Sequence, residues 1–127
     1  MFGLVMLGCL LTLGVPQRAA ANDGNGLLND CAAAERVADG GQQSVDAIDA
    51  IRCVTYVEGI GDMNSAYRVL LNERHEQPFF CQPDAGLQNQ QAARIVVKYL
   101  RAHPERLHEP AVLLVTLALS EAFPCRK

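Results

Sequence analysis

The stretch Ile95–Cys125, IVVKYLRAHPERLHEPAVLLVTLALSEAFPC, reads as two helices joined by a proline-marked corner and closed by a cysteine. Ala92, Ile95, Val96, Tyr99, Leu100 and His103 recur at helical spacing and form one face, while Arg94, Lys98 and Arg101 fall on the other. Pro104 ends the first helix, because it lacks an amide proton and its ring clashes with the preceding turn. Pro110 stands where the first residue of the second helix belongs. From Ala111 to Leu119 nearly every position is apolar, so this helix is expected to be the buried one and to run to about Phe123. Pro124 stops it, and Cys125 follows at once.

Upstream, Asn72–Pro78 (NERHEQP) is a polar loop without apolar periodicity. Phe79-Phe80-Cys81 returns the chain to the core, Gln82–Gly86 is a turn, and the next helix begins near Leu87. Ser44 is the expected N-cap of the longest helix, roughly residues 44–70. Its apolar face reads Ala47, Ala50, Ile51, Val54, Val57 and Gly61, with Asp46, Asp49 and Arg52 on the wet side and Cys53 at the edge. Gly59 and Gly61 each cost about 1 kcal/mol relative to Ala inside a helix, which close helix packing would explain. Glu58 falls within the apolar face and needs a partner there. Before Asp39-Gly40-Gly41, Leu27, Leu28, Cys31, Ala34 and Ala38 mark a shorter helix, preceded by the flexible, glycine-rich Asn22–Gly26. The fold class expected is all-α, about four helices in one small domain.

The first 21 residues read as something else. Phe2–Val15 is an uncharged apolar run closed by Pro16, and Ala19-Ala20-Ala21 offers a cleavage site before Asn22. The run is shorter than the roughly 20 residues that span a bilayer. No Lys or Arg precedes it, so either the start codon is assigned too late or the signal is atypical. Cys9 allows the rival reading of a lipobox, Met6–Cys9, with only eight residues ahead of the cysteine. The organisation expected is a signal peptide over 1–21 and a helical domain over 22–127. The mature chain then carries 10 Lys+Arg (11 minus Arg18) against 14 Asp+Glu, a net charge near −4. With no basic stripe, nucleic acid is excluded as a partner.

Four cysteines remain after such cleavage: Cys31, Cys53, Cys81 and Cys125. An even number in a small exported chain points to two disulfides, in one of three connectivities. Cys31 and Cys53 sit on neighbouring helices joined by a short break, and Cys81 and Cys125 bracket the C-terminal hairpin. The layout therefore favours Cys31–Cys53 and Cys81–Cys125. Zinc is disfavoured because C-x-x-C spacing is missing. His103 and His108 straddle the corner without a third ligand. Paired acids, a serine elbow and a phosphate loop are absent, so no catalytic residue, metal or cofactor is expected. The most polar loop, at Arg74, His75, Glu76 and Gln77, is the candidate partner-binding surface.

One resemblance runs through these residues. Val96-Val97-Lys98-Tyr99-Leu100, His103-Pro104-Glu105, Leu107-His108, Pro110-Ala111, Leu114-Val115, Ala118-Leu119 and Ala122-Phe123-Pro124-Cys125 resemble, ungapped, the C-terminal signature of the Tai/Rap family of type VI secretion immunity proteins. Leu27-Leu28 with Cys31, Cys53–Gly59 with Asp62, Phe80-Cys81-Gln82-Pro83 and Gln91 extend it over nearly all of the mature chain. Thr55 departs from it, standing where the family usually has Gly before the Tyr. The resemblance implies a periplasmic helical protein that binds and blocks a peptidoglycan amidase effector of cysteine–histidine type. It would protect the producer by occlusion rather than catalysis, as a homodimer. The alternative is an accessory or structural envelope protein that shares the fold without a toxin partner.

Overall fold

The computed structural model describes residues 23–41, 44–72, 74 and 76–126. The expected signal peptide and His75 lie outside them. Four helices follow in order: α1 (Gly24–Ala38), α2 (Ser44–Asn72), α3 (Asn89–Ala102) and α4 (Ala111–Ala122), with a 3₁₀ turn at Pro104–Arg106. The expected all-α class holds: among the described residues, extended pairing is limited to one bridge between Asp23 and Pro110.

The core is Leu27, Cys31, Val57, Phe80, Val96, Val97, Leu100, Leu114, Val115 and Leu119, with alanines between them. Ala92, Val96, Tyr99 and Leu100 face it from α3, while Arg94, Lys98 and Arg101 are exposed. Both disulfides form between sequence neighbours, Cys31–Cys53 and Cys81–Cys125, with Cα–Cα separations of 4.9 and 5.0 Å.

The corner after α3 is closed by polar contacts. His103 caps α3 through its backbone amide, and its Nδ1 lies 2.9 Å from the Tyr99 carbonyl. A carbonyl only accepts, so Nδ1 carries the hydrogen. The imidazole stacks on the Tyr99 ring with centroids 4.3 Å apart. Arg106 donates to the Tyr99 hydroxyl and, through two nitrogens, to both carboxylate oxygens of Glu109. Pro110 directly precedes α4 rather than opening it, and its carbonyl accepts the amides of Leu113 and Leu114.

Five expectations need correction. Asn22–Gly26 is not a loose lead-in beyond Asp23. Asp23 caps α1 by accepting the Gly26 amide, and Gly24 is buried against the corner, donating to the Glu109 carbonyl. A Cβ at Gly24 would stand 2.8 Å from Leu107 Cα, so only glycine allows this approach.

The face of α2 is also turned from the expected one. Asp46 and Asp49 are buried, at 9% and 4% exposure, while Ile48 and Ile51 are 56% and 62% exposed. Arg36 makes a two-point contact with Asp46, and Asn29 and Arg52 donate to Asp49. These polar pairs and the fully buried Cys53 set the rotation of α2 against α1. The same rotation leaves Glu58 exposed, so it needs no buried partner.

A Cβ at Gly59 would meet no atom within 4 Å, so helix packing does not explain that glycine; one at Gly61 would meet the Gln82 side chain at 3.0 Å. Finally, α4 is not buried on all sides: Ala111, Leu114, Val115, Ala118 and Leu119 are buried, but Val112 and Leu113 are exposed. An apolar run longer than the helix's contact stripe leaves its outer members on the surface.

α1 ends in a Schellman closure. Gly40 takes φ +96°, its amide donates to Val37, and the Gly41 amide donates to Arg36. The tight stop lets α2 turn back against α1. Thr55, the departure from the family pattern, is exposed and donates to the Ile51 carbonyl of its own helix, so it disturbs no packing.

Candidate partner-binding surface

The connection from α2 to α3, residues 73–88, contains the polar loop singled out in the sequence. Its start is a closed helix end: the Leu71 carbonyl accepts the amides of both Arg74 and Glu76. Arg74, Glu76 and Gln77 are exposed. Arg74 and Glu76 put opposite charges two residues apart in the chain. The Gln77 amide group reaches back and donates to the Arg126 carbonyl at 2.8 Å.

The far side of the loop is pinned. Phe80 is buried, and the buried Asn64 of α2 grips its backbone from both sides. Asn64 Nδ2 donates to the Phe80 carbonyl at 2.8 Å, and the Phe80 amide donates to Asn64 Oδ1 at 3.3 Å. A side-chain amide here replaces the neighbouring strand that this stretch of backbone lacks. The Ser120 hydroxyl of α4 is shared between the Phe79 carbonyl at 2.9 Å and the Thr116 carbonyl of its own helix at 2.7 Å, and the Cys81 amide donates to the Phe123 carbonyl. Phe79, by contrast, is 62% exposed and packs edge-on against Tyr67.

Beside this segment runs an apolar groove of about 440 Å³ between α2 and α4, lined by Ile60, Met63, Tyr67, Phe79, Val112 and Leu113 among others. A second apolar groove, about 460 Å³, lies over α1 and α2 at Val37, Ala47, Ile51 and Val54. Neither was foreseen from the sequence. Ile51 of α2 and Val112 and Leu113 of α4 read there as core, and for α2 only the polar pairs with α1 reveal otherwise.

Away from the loop, at the corner and between α1 and α2, charge is paired. The Glu109 carboxyl is held below its ordinary range, first by its hydrogen bond from Arg106, while burial works against the shift. Arg106 is correspondingly raised, chiefly by the same bond. Asp46 is lowered by its bond from Arg36. Desolvation pushes the Tyr56 hydroxyl up. A cysteine nucleophile needs a free thiol, and all four described cysteines are in disulfides. His103 is engaged with Tyr99, and His108 is exposed on the corner. No group of three His, Cys, Asp or Glu among the described residues could hold a metal ion.

The fold and its fastened loop define a small, disulfide-braced, all-α protein. The chain belongs to the Rap1a immunity proteins: the family model matches residues 23–125, which is nearly the whole helical domain. Membership makes it an immunity protein against an effector of type VI secretion. No curated protein and no solved structure matches it. Among the described residues, no helix is long and apolar enough to cross a membrane.

Proposed function

We propose that the chain is exported to the periplasm, loses residues 1–21, and there binds and inhibits a cognate type VI peptidoglycan amidase, sparing the producer. It acts by occupying the enzyme rather than by chemistry of its own. Arg74, His75, Glu76 and Gln77 form the contact loop, and the protein works as a homodimer. The observation that carries this reading is the family match over residues 23–125. The loop assignment is supported by exposed, oppositely charged Arg74 and Glu76 on a segment fastened at its far end. A fastened loop loses little entropy on binding, so more of its contact energy appears as affinity.

The test is a pull-down with residues 22–127 against the producer's own type VI amidases, with wall cleavage assayed in the same tubes. Stoichiometric capture with loss of cleavage is the expected result. A folded, oxidised protein that captures none of them would refute amidase inhibition and favour the accessory envelope role.

A further inference from the structure

The two disulfides lie at unequal depth. Cys31 and Cys53 are 0% and 1% exposed, inside the core cluster. Cys81 and Cys125 are only half-buried. Cys125 belongs to the short tail after α4, and that tail is where the candidate loop is tied down. Gln77 donates to Arg126, the Cys81 amide donates to Phe123, and Cys125 Sγ lies 3.7 Å from the Pro78 carbonyl. That last pair is a contact and not a hydrogen bond, since a disulfide sulfur carries no hydrogen. Every one of these ties joins the segment 77–81 to residues 123–126. From within the helices, Asn64 and Ser120 hold the same segment.

We propose that Cys81–Cys125 is an openable clasp that mounts the contact loop, with Asn64 as the positioning residue beneath it. The proposal rests on the reading of Arg74–Gln77 as the contact loop. A dithiol reductant opens the clasp in two exchanges. One reductant thiolate attacks a cysteine sulfur, and the other cysteine leaves as a thiolate and takes up a proton. The second reductant thiol then displaces the remaining cysteine, leaving the reductant as its own disulfide. Two electrons pass to the protein. Cys31–Cys53 is shielded from that attack by its burial, so the α1–α2 hairpin stays closed. The loop is thereby held for binding in an oxidising compartment and released in a reducing one.

The experiment takes the mature oxidised protein through a dithiothreitol titration, with thiol tagging read by peptide mass and amide exchange read along the chain. The expected result is that Cys81 and Cys125 are tagged first, with exchange speeding up at residues 77–81 while α1 and α2 stay protected. Affinity for the amidase retained in the pull-down should fall at least about tenfold at that stage and return on reoxidation, with helix content unchanged. Asn64→Leu, which keeps both disulfides, should speed exchange at Phe80 and weaken binding in the same direction. Opening of Cys31–Cys53 first or together with the other pair would overturn the proposal. So would an opened clasp that leaves exchange at 77–81 unchanged, or leaves affinity unchanged while Arg74→Ala/Glu76→Ala weakens it. If that surface variant binds as tightly as the parent, the contact-loop reading fails instead; the order of tagging still judges the clasp by itself.

Discussion

At one end of the molecule a disulfide is sunk between α1 and α2, among Leu27, Ala34 and Val57. At the other, a disulfide at the rim joins a tail to a loop. The buried one has ion pairs beside it, Arg36–Asp46 and Arg52–Asp49, and a Schellman closure between its two cysteines. The rim one is surrounded by single hydrogen bonds to backbone carbonyls. The same covalent chemistry therefore does two jobs. Where packing already surrounds the sulfurs, the bond adds to a structure with many other supports. At the rim, the bond joins a set of hydrogen bonds that seat residues 77–81 against the tail and the helices.

Loop length alone would rank the two the other way. Their sequence separations are 22 and 44 residues, and the loop-entropy argument gives about 3–4 kcal/mol for either, slightly more for the longer. Burial reverses that order, because removing the inner pair also leaves a void in the core. We expect Cys31→Ala/Cys53→Ala to lose more stability in urea than Cys81→Ala/Cys125→Ala. Equal losses would mean that the core relaxes around the missing sulfurs and that depth does not distinguish the two ends.

The next largest effect belongs to the inner end. Gly24→Ala pushes a methyl group into the Leu107 backbone and should cost about 1–3 kcal/mol in the same assay. A neutral result would show that the corner can retreat. Acid should also act on this side of the molecule. The folded Glu109 value lies below its ordinary 4.5 and that of Asp46 below 3.8, each because an arginine hydrogen-bonds the ionised form. Their contribution is fully present above those ordinary values and fades as pH falls through the lowered ones. Glu109→Gln should flatten the acid limb of a melting-temperature profile while leaving the 77–81 amides as protected as before. The smallest expected effect is at the rim: Arg74→Ala/Glu76→Ala should change stability by less than about 0.5 kcal/mol, and any loss of amidase binding then reports contact rather than folding.

The two ends also differ in how legible they were. The α3–corner–α4 unit could be read from the sequence because its signals are local: apolar residues at helical spacing, Pro104 and Pro110 at the breaks, and Arg94, Lys98 and Arg101 outward. The face of α2 could not. Apolar periodicity favoured Ala47 and Ile51, but burial is decided by partners supplied from another helix. Arg36 and Asn29 of α1 draw Asp46 and Asp49 inward, and no pattern within α2 announces them. Glu58 was misplaced by the same rotation. The loop at residues 74–77 was visible as polar sequence, yet its fastening was not. Asn64 is sixteen residues from Phe80 and looks like any helical asparagine until the backbone it serves is in place.

The bridge between Asp23 and Pro110 settles how the protein should be handled. It seats the start of α1 beside the start of α4, whereas Cys125 follows the other end of that helix. Twelve helical residues separate the two points, a length of about 18 Å. A purification handle, dye or surface anchor placed ahead of Asp23 therefore leaves from the corner and keeps clear of Phe79. The same addition after Arg126 would hang from the residue that Gln77 holds, so it would crowd any partner docking there. For a binding measurement, the choice of terminus is part of the design.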